Sequence, residues 1–168
     1  MDRRQIALKL VMDAFGLPVR VDNFNDRLIL QKTVHLAQAA GIQLGYYFRW
    51  YLRGPYCPAV ADDGFCIATE LARNLDDSKG WTLDEASSTR LDRIRGLLAA
   101  HHRTAAERGA LARRLELLAS VHYLVDRKQV SGREPAKVVA VLQRFGKDFG
   151  EAEVSRALGD LRDYGLLF

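Results

Sequence analysis

Apolar residues recur at helical spacing along nearly the whole chain, and a glycine or proline closes almost every such stretch, so the sequence commits to a set of short packed helices. Ile6, Leu10 and Ala14, with Leu8, Val11, Met12 and Phe15, form a stripe from Asp2 to Phe15 that ends at Gly16 and Pro18. A second helix follows Asn25 as N-cap, places Asp26 in its first turn, carries Leu28, Ile29, Val34, Leu36 and Ala37, and stops at Gly41. The one departure is Tyr46-Tyr-Phe-Arg-Trp-Tyr-Leu52. It is short, aromatic and followed by Gly54-Pro55, so it reads as a strand and a turn, with an imperfect alternation that leaves at least one aromatic exposed.

Helical spacing then resumes. Pro58 opens a helix that runs to Asn74 with Gly64 as its weak point, and residues 76–80 form a polar connector. Trp81 to Leu83 is a brief extended piece, with Thr82 or Asp84 capping the stripe Leu91, Ile94, Leu97 and Leu98. The polar stretch from His101 to Gly109 reads as a turn or a frayed end before the stripe Leu111, Leu115, Leu118, Val121 and Val125. Helices from Glu134-Pro135 to Gly146 and from near Gly150 to Tyr164-Gly165 complete the chain. The expected fold is mainly α, an α-rich α+β domain with a short aromatic strand or hairpin. It spans 1–168 as one unit, a half over 1–75 and a helical half over 84–168.

Of the 168 residues, 48% are hydrophobic and 27% charged, enough to bury a core. No apolar run approaches the roughly 18 residues of a membrane span. The opening residues lack the apolar stretch and cleavage site of a secretion signal, and two cysteines make no disulfide framework. The expectation is a reduced, cytoplasmic protein without membrane contact.

The net charge of +4 is unevenly placed, with −5 over residues 57–89 and +8 over 90–147. Arg90 and Arg93 share a helix face, and Arg113, Arg114, Lys128 and Arg133 follow, so these six are the candidates for a basic surface contacting nucleic-acid phosphates. The aromatics cluster over 46–56 instead, so charge and stacking groups do not interleave as single-strand binding asks. Ordinary solvated helix faces account for the same residues.

Catalytic patterns are absent. His101-His102 diverge by about 100° on a helix and cannot chelate together. Cys57 and Cys66 have no ligand spacing, so no metal and no cofactor are expected. Cys57 with His35 or His122 is formally a thiol–imidazole set, yet a buried thiol explains Cys57 as well. No phosphate-binding glycine motif occurs. Asp62-Asp63 and Asp76-Asp77 are sequence neighbours that do not face each other, the first pair reading as a solvated helix face and the second as loop.

One stretch is more specific: Arg27-Leu-Ile-Leu-Gln31-Lys32-Thr-Val-His35-Leu-Ala, then Tyr47-Phe-Arg49-Trp-Tyr51-Leu-Arg53-Gly54-Pro55-Tyr56-Cys57-Pro58. A helix with a polar Gln-Lys step precedes an aromatic strand and a stiff turn that holds Arg53 and Tyr56 in place. This resembles the bacterial and archaeal YwgA-like proteins and, more distantly, the Panacea (SocA-like) domain. Residues Leu115 to Leu124 and Phe149 to Leu167 are similar to the same family, and Cys57 stands where a serine is common. The resemblance implies a helical fold with winged-helix-like elements, no catalytic residues to carry over, and antitoxin or adaptor roles. The expected function is a non-catalytic interaction protein binding a macromolecular partner, most simply another protein, through Gln31, Lys32, Arg49, Arg53, Gly54 and Tyr56. The alternative for Gln31, Lys32, Arg53, Gly54 and Tyr56 is that they lock the helix, strand and turn together. The alternative function is a winged-helix-like nucleic-acid binder using the basic residues above.

Overall fold

A computed structural model describes residues 1–99, 103–130 and 132–168. Among the described residues there are seven helices and one hairpin: α1 (Arg3–Ala14), α2 (Phe24–Ala39), β1 (Arg49–Tyr51), β2 (Gly54–Tyr56), α3 (Pro58–Ala72), α4 (Glu85–Leu98), α5 (Ala105–Asp126), α6 (Pro135–Arg144) and α7 (Glu151–Asp163). The architecture is α-rich α+β.

Local chemistry sets most of the boundaries. Asp2 and Gln5 cap the start of α1 reciprocally, and Thr104 and Glu107 do the same for α5, each pair satisfying two N–H groups that a helix start leaves open. Asp84 caps α4 through the Ser87 N–H. Pro58 and Pro135 occupy first-turn positions, where a missing N–H has no helical partner to lose.

Three boundaries differ from the sequence reading. The cap of α2 is Asn23, whose Oδ1 accepts from the Asp26 N–H at 3.0 Å, and Asn25 falls inside the first turn. Residues Ala105 to Gly109 are helical, because the Thr104–Glu107 cap starts α5 earlier than the apolar stripe suggests; His101 and His102 lie outside the described residues. The strand is shorter than 46–52, and only Arg49–Tyr51 pairs with Gly54–Tyr56, antiparallel, in the register Arg49↔Tyr56, Trp50↔Pro55 and Tyr51↔Gly54. The turn is therefore Leu52-Arg53, and Gly54-Pro55-Tyr56 is the second strand.

Upstream of β1 the chain stays extended without a strand beside it. Ile42, Leu44, Tyr46 and Phe48 face the core while Gln43, Tyr47 and Arg49 face out, a period of two. Gln38 takes the place of a neighbouring strand: its Nε2 donates to the Tyr46 carbonyl at 2.8 Å and its Oε1 accepts from the Tyr46 N–H at 3.0 Å. Tyr47, 86% exposed, is the outward aromatic of this stretch.

The core is built around α2. Eleven of its sixteen residues are buried, and it packs most extensively on α5 while also meeting α1, α3, α4 and β2. The long α5 in turn supports β2 and α7, and α6 leans on α7. One hydrophobic cluster draws on all seven helices, so the halves 1–75 and 84–168 share a core. Each fully buried aliphatic or aromatic side chain stabilises it by roughly 1.5–3 kcal/mol.

A helix surrounded on all sides also buries polar residues, and each then needs a partner. Asp26 receives Arg108 Nε at 2.7 Å and Asn23 Nδ2 at 2.9 Å. On α3, Asp62 is exposed as expected but Asp63 is not. Asp63 is buried against α1, accepting from Arg4 Nε at 2.8 Å, Gln5 Nε2 at 3.0 Å and the Tyr46 hydroxyl at 2.8 Å. Burial alone would raise its pKa, but these three donors outweigh it and hold the carboxyl below its usual range. Gly64, expected to weaken α3, lies against α2, and a Cβ there would press on the Leu30 side chain. Among the described residues no helix is long and apolar enough to cross a membrane.

Candidate functional site

Two consecutive side chains in the middle of α2 fasten the hairpin. Gln31 grips Cys57 at both backbone groups, Nε2 donating to the carbonyl at 2.9 Å and Oε1 accepting from the N–H at 3.0 Å. Lys32 Nζ donates to the Pro55 carbonyl at 2.6 Å. Pro55 has no N–H to offer, which suits it to the edge of so short a sheet. From the other side, Gly54 lies against α5 at φ +83°, and a Cβ at this position would collide with Ser120 Oγ. Only glycine combines that backbone conformation with that approach.

Gln31 and Lys32 are thus buried beneath the hairpin and Gly54 is buried within it, where all three hold its shape. Arg49 and Arg53 are exposed, and Tyr56 is half-buried with its ring 5.5 Å from that of Tyr51.

Lys32 has the largest fully buried side chain among the described residues, with 2% exposure. Among the described residues it has no carboxylate within ion-pair distance, its one bond being to the Pro55 carbonyl. Burial first, and the nearby charge of Lys147 second, lower its pKa to about 7, against a weaker pull from Glu116. Glu116 is the one carboxylate of this cluster and is shared. Lys147 Nζ donates to it at 2.5 Å, and Arg53 approaches its other oxygen at 3.6 Å. The Lys147 amine also has a lowered pKa, burial again outweighing Glu116. Lys147 and Arg53 therefore share one carboxylate, with the Lys32 amine buried nearby.

Above this cluster lies a groove of about 560 Å³. Its walls are Phe24 and Leu28 of α2, Phe65 of α3, and Tyr51, Leu52 and Tyr56 of the hairpin. Phe24, Tyr51, Leu52 and Phe65 are all exposed, Leu52 at 73%. Gln31 and Lys32 contribute to the lining, as do Arg27 and Arg53, whose guanidinium lies 5.6 Å from the centre of the Phe24 ring. Among the described residues no Asp or Glu lines it.

Of the six residues expected to bind a partner, Gln31, Lys32, Arg53, Gly54 and Tyr56 line this groove and Arg49 does not; Phe24, Leu28 and Phe65 were not among them. Phe24 precedes the apolar stripe of α2, and Phe65 stands one position off the buried face formed by Val60, Gly64 and Ile67. A large aromatic displaced from its helix's stripe is the signal that was available. Lys147 and Glu116 carried none, because their pairing spans 31 residues.

The six basic residues of the alternative reading are distributed over several elements. Arg90 and Arg93 of α4 donate to the Gly41 and Ala40 carbonyls, a favourable use of positive charge at the C-terminus of α2. Arg113 of α5 donates to the Asp148 carbonyl and pairs with Glu153 at 3.1 Å, and Arg114 approaches Asp160 at 3.5 Å. Lys128 follows the end of α5 and Arg133 precedes α6, both exposed.

Cys57 is buried. The two imidazoles considered with it bond to each other, His35 Nε2 to His122 Nδ1 at 3.1 Å. Burial lowers the pKa of both, that of His35 further because His122 and Lys32 add to it. Among the described residues no group of three or more His, Cys, Asp or Glu side chains is placed to hold a metal ion.

Compared with protein-family models, curated proteins and solved structures, the chain matches none of them.

Proposed function

We propose that this chain is a non-catalytic cytoplasmic interaction protein, a regulator, antitoxin-like factor or accessory subunit, that binds a partner protein at the hairpin groove. The observation that carries the reading is the gathering of Phe24, Tyr51, Leu52 and Phe65, all large and exposed, around a hairpin fixed from below by Gln31 and Lys32. Large apolar side chains held in one geometry make interface anchors, because little freedom remains to be lost on binding.

The test places a photo-crosslinking amino acid at position 52 and irradiates nuclease-treated extract of the native host. A discrete protein adduct, competed away by unlabelled chain and not by its Tyr51→Asp variant, is the expected result. No adduct, or adducts insensitive to both competitors, overturns the reading. Adducts that appear only when nuclease is omitted would replace it with the nucleic-acid reading.

A further inference from the structure

We infer that the groove receives an amphipathic helix with acidic flanks, laid along the trough between α2 and α3 with its apolar face on Leu28, Leu52 and Phe65. The inference rests on the proposed function and adds the chemistry of the segment that binds.

Charge selects the partner. Arg27 and Arg53 line the groove beside the buried Lys32 amine, and no acidic residue among the described residues does. Arg27 donates to the Val21 carbonyl at 2.9 Å and has no carboxylate within ion-pair distance among the described residues. Arg53 has only Glu116, which Lys147 already engages. A positive excess in partly desolvated surroundings favours an incoming carboxylate more than the same charges would in open water.

Shape selects a helix. Two walls are helices, and the hairpin closes one side of the trough. Phe24, Tyr51 and Phe65 on its walls remain about half exposed and Leu52 more so, so an occupant would be covered on one face only. Sites for small molecules enclose most of the ligand, whereas an amphipathic helix needs cover along a single stripe. The strands, three residues each, are too short to template an added strand.

The probes are two capped peptides of about 15 residues, long enough to favour a helix. Both carry Leu or Phe at i, i+4 and i+7; one has Glu on the flanking positions and the other has Lys. Isothermal titration calorimetry against the full chain is expected to show the Glu peptide binding at least about tenfold more tightly, with the gap narrowing in about 0.5 M salt. Arg27→Gln with Arg53→Gln should weaken the Glu peptide alone. Leu52→Asp should weaken both peptides, and its melting temperature should stay unchanged because Leu52 is exposed.

Equal binding of the two peptides overturns the acidic-flank assignment, and binding of neither overturns the helix. Binding of decanoate that displaces the Glu peptide also overturns it, in favour of a small carboxylate ligand. If the crosslink from position 52 still captures its protein while neither peptide binds, only this inference fails. If no protein is captured, the proposed function fails with it.

Discussion

The amine of Lys32 reaches the carbonyl of Pro55 at 2.6 Å, so the hairpin is tied to the most enclosed helix by a buried amine with no carboxylate in ion-pair distance among the described residues. Gln31 completes the attachment one residue earlier, and burial lowers the Lys32 pKa to about 7.

That proton has a measurable consequence. With a folded pKa near 7 against an ordinary 10.5, the folded chain has released a proton that the unfolded chain retains between those values. Stability conferred by this group therefore rises with pH across the window and falls as pH drops toward 7. Urea unfolding at pH 7, 8 and 9 should show the wild type gaining on Lys32→Met at each step. Parallel curves for the two proteins would show that the amine is charged when folded.

Gly54→Ala should destabilise the chain by about 2–4 kcal/mol, combining an L side chain at positive φ with overpacking against α5. Ser120 Oγ has no hydrogen-bond partner among the described residues, so Ser120→Ala alone should be neutral or slightly stabilising. Ser120→Ala in the Gly54→Ala background should recover only part of the loss, since the backbone strain remains. Thermal melts of the three variants check this, and complete recovery would mean that the collision alone was responsible.

Gln31→Leu keeps the bulk and removes both bonds to Cys57. Leaving a buried N–H and a buried carbonyl unpaired should lower stability by about 2–4 kcal/mol. Hydrogen exchange at the Cys57 amide should accelerate more than at the amides of α7. A uniform acceleration would show that the hairpin and α2 open only with the whole fold.

The His35–His122 pair predicts sensitivity to acid. Both pKa values are depressed in the fold, so as pH falls through about 6.5 the unfolded chain takes up protons before the folded one, and stability is lost. Urea midpoints at pH 7.5 and 5.5 should separate for the wild type and draw together for His35→Gln, which retains a hydrogen-bonding group toward His122. An unchanged separation would assign the acid response to other groups.

Asp26 and Arg108 meet with both side chains out of water. Removing either alone, by Asp26→Ala or Arg108→Met, should lower stability by about 3–5 kcal/mol because a buried charge is stranded. The pair Asp26→Leu with Arg108→Met should be markedly better than either single variant. A double variant as poor as the sum of the singles would mean that the two residues contribute independently.

The helical architecture was legible because its punctuation is local. Pro58, Pro135, Gly16 and Asp84 act on the residues beside them, and a stripe such as Leu91, Ile94, Leu97 and Leu98 needs no distant partner to be read. The Gln31-Lys32 step and the hairpin were recognisable for the same reason. Their relation was not. That Lys32 would be buried under Pro55, or that Asp63 would turn inward to Arg4 and Tyr46, depends on elements 17 to 59 residues apart in sequence. The extended run before β1 misled for a subtler reason. Its alternation is that of a strand, but Gln38, a side chain eight residues away, supplies the hydrogen bonds a neighbouring strand would give.

Because Gln31 and Lys32 belong to α2, the mould that the hairpin presents is cast by a helix walled in on every side. If the groove takes a partner as proposed, that partner would meet a contour already set and would do most of the ordering itself. Changes at the rim would then alter which partner is accepted, whereas a change deep inside α2 would blur the contour for all of them at once.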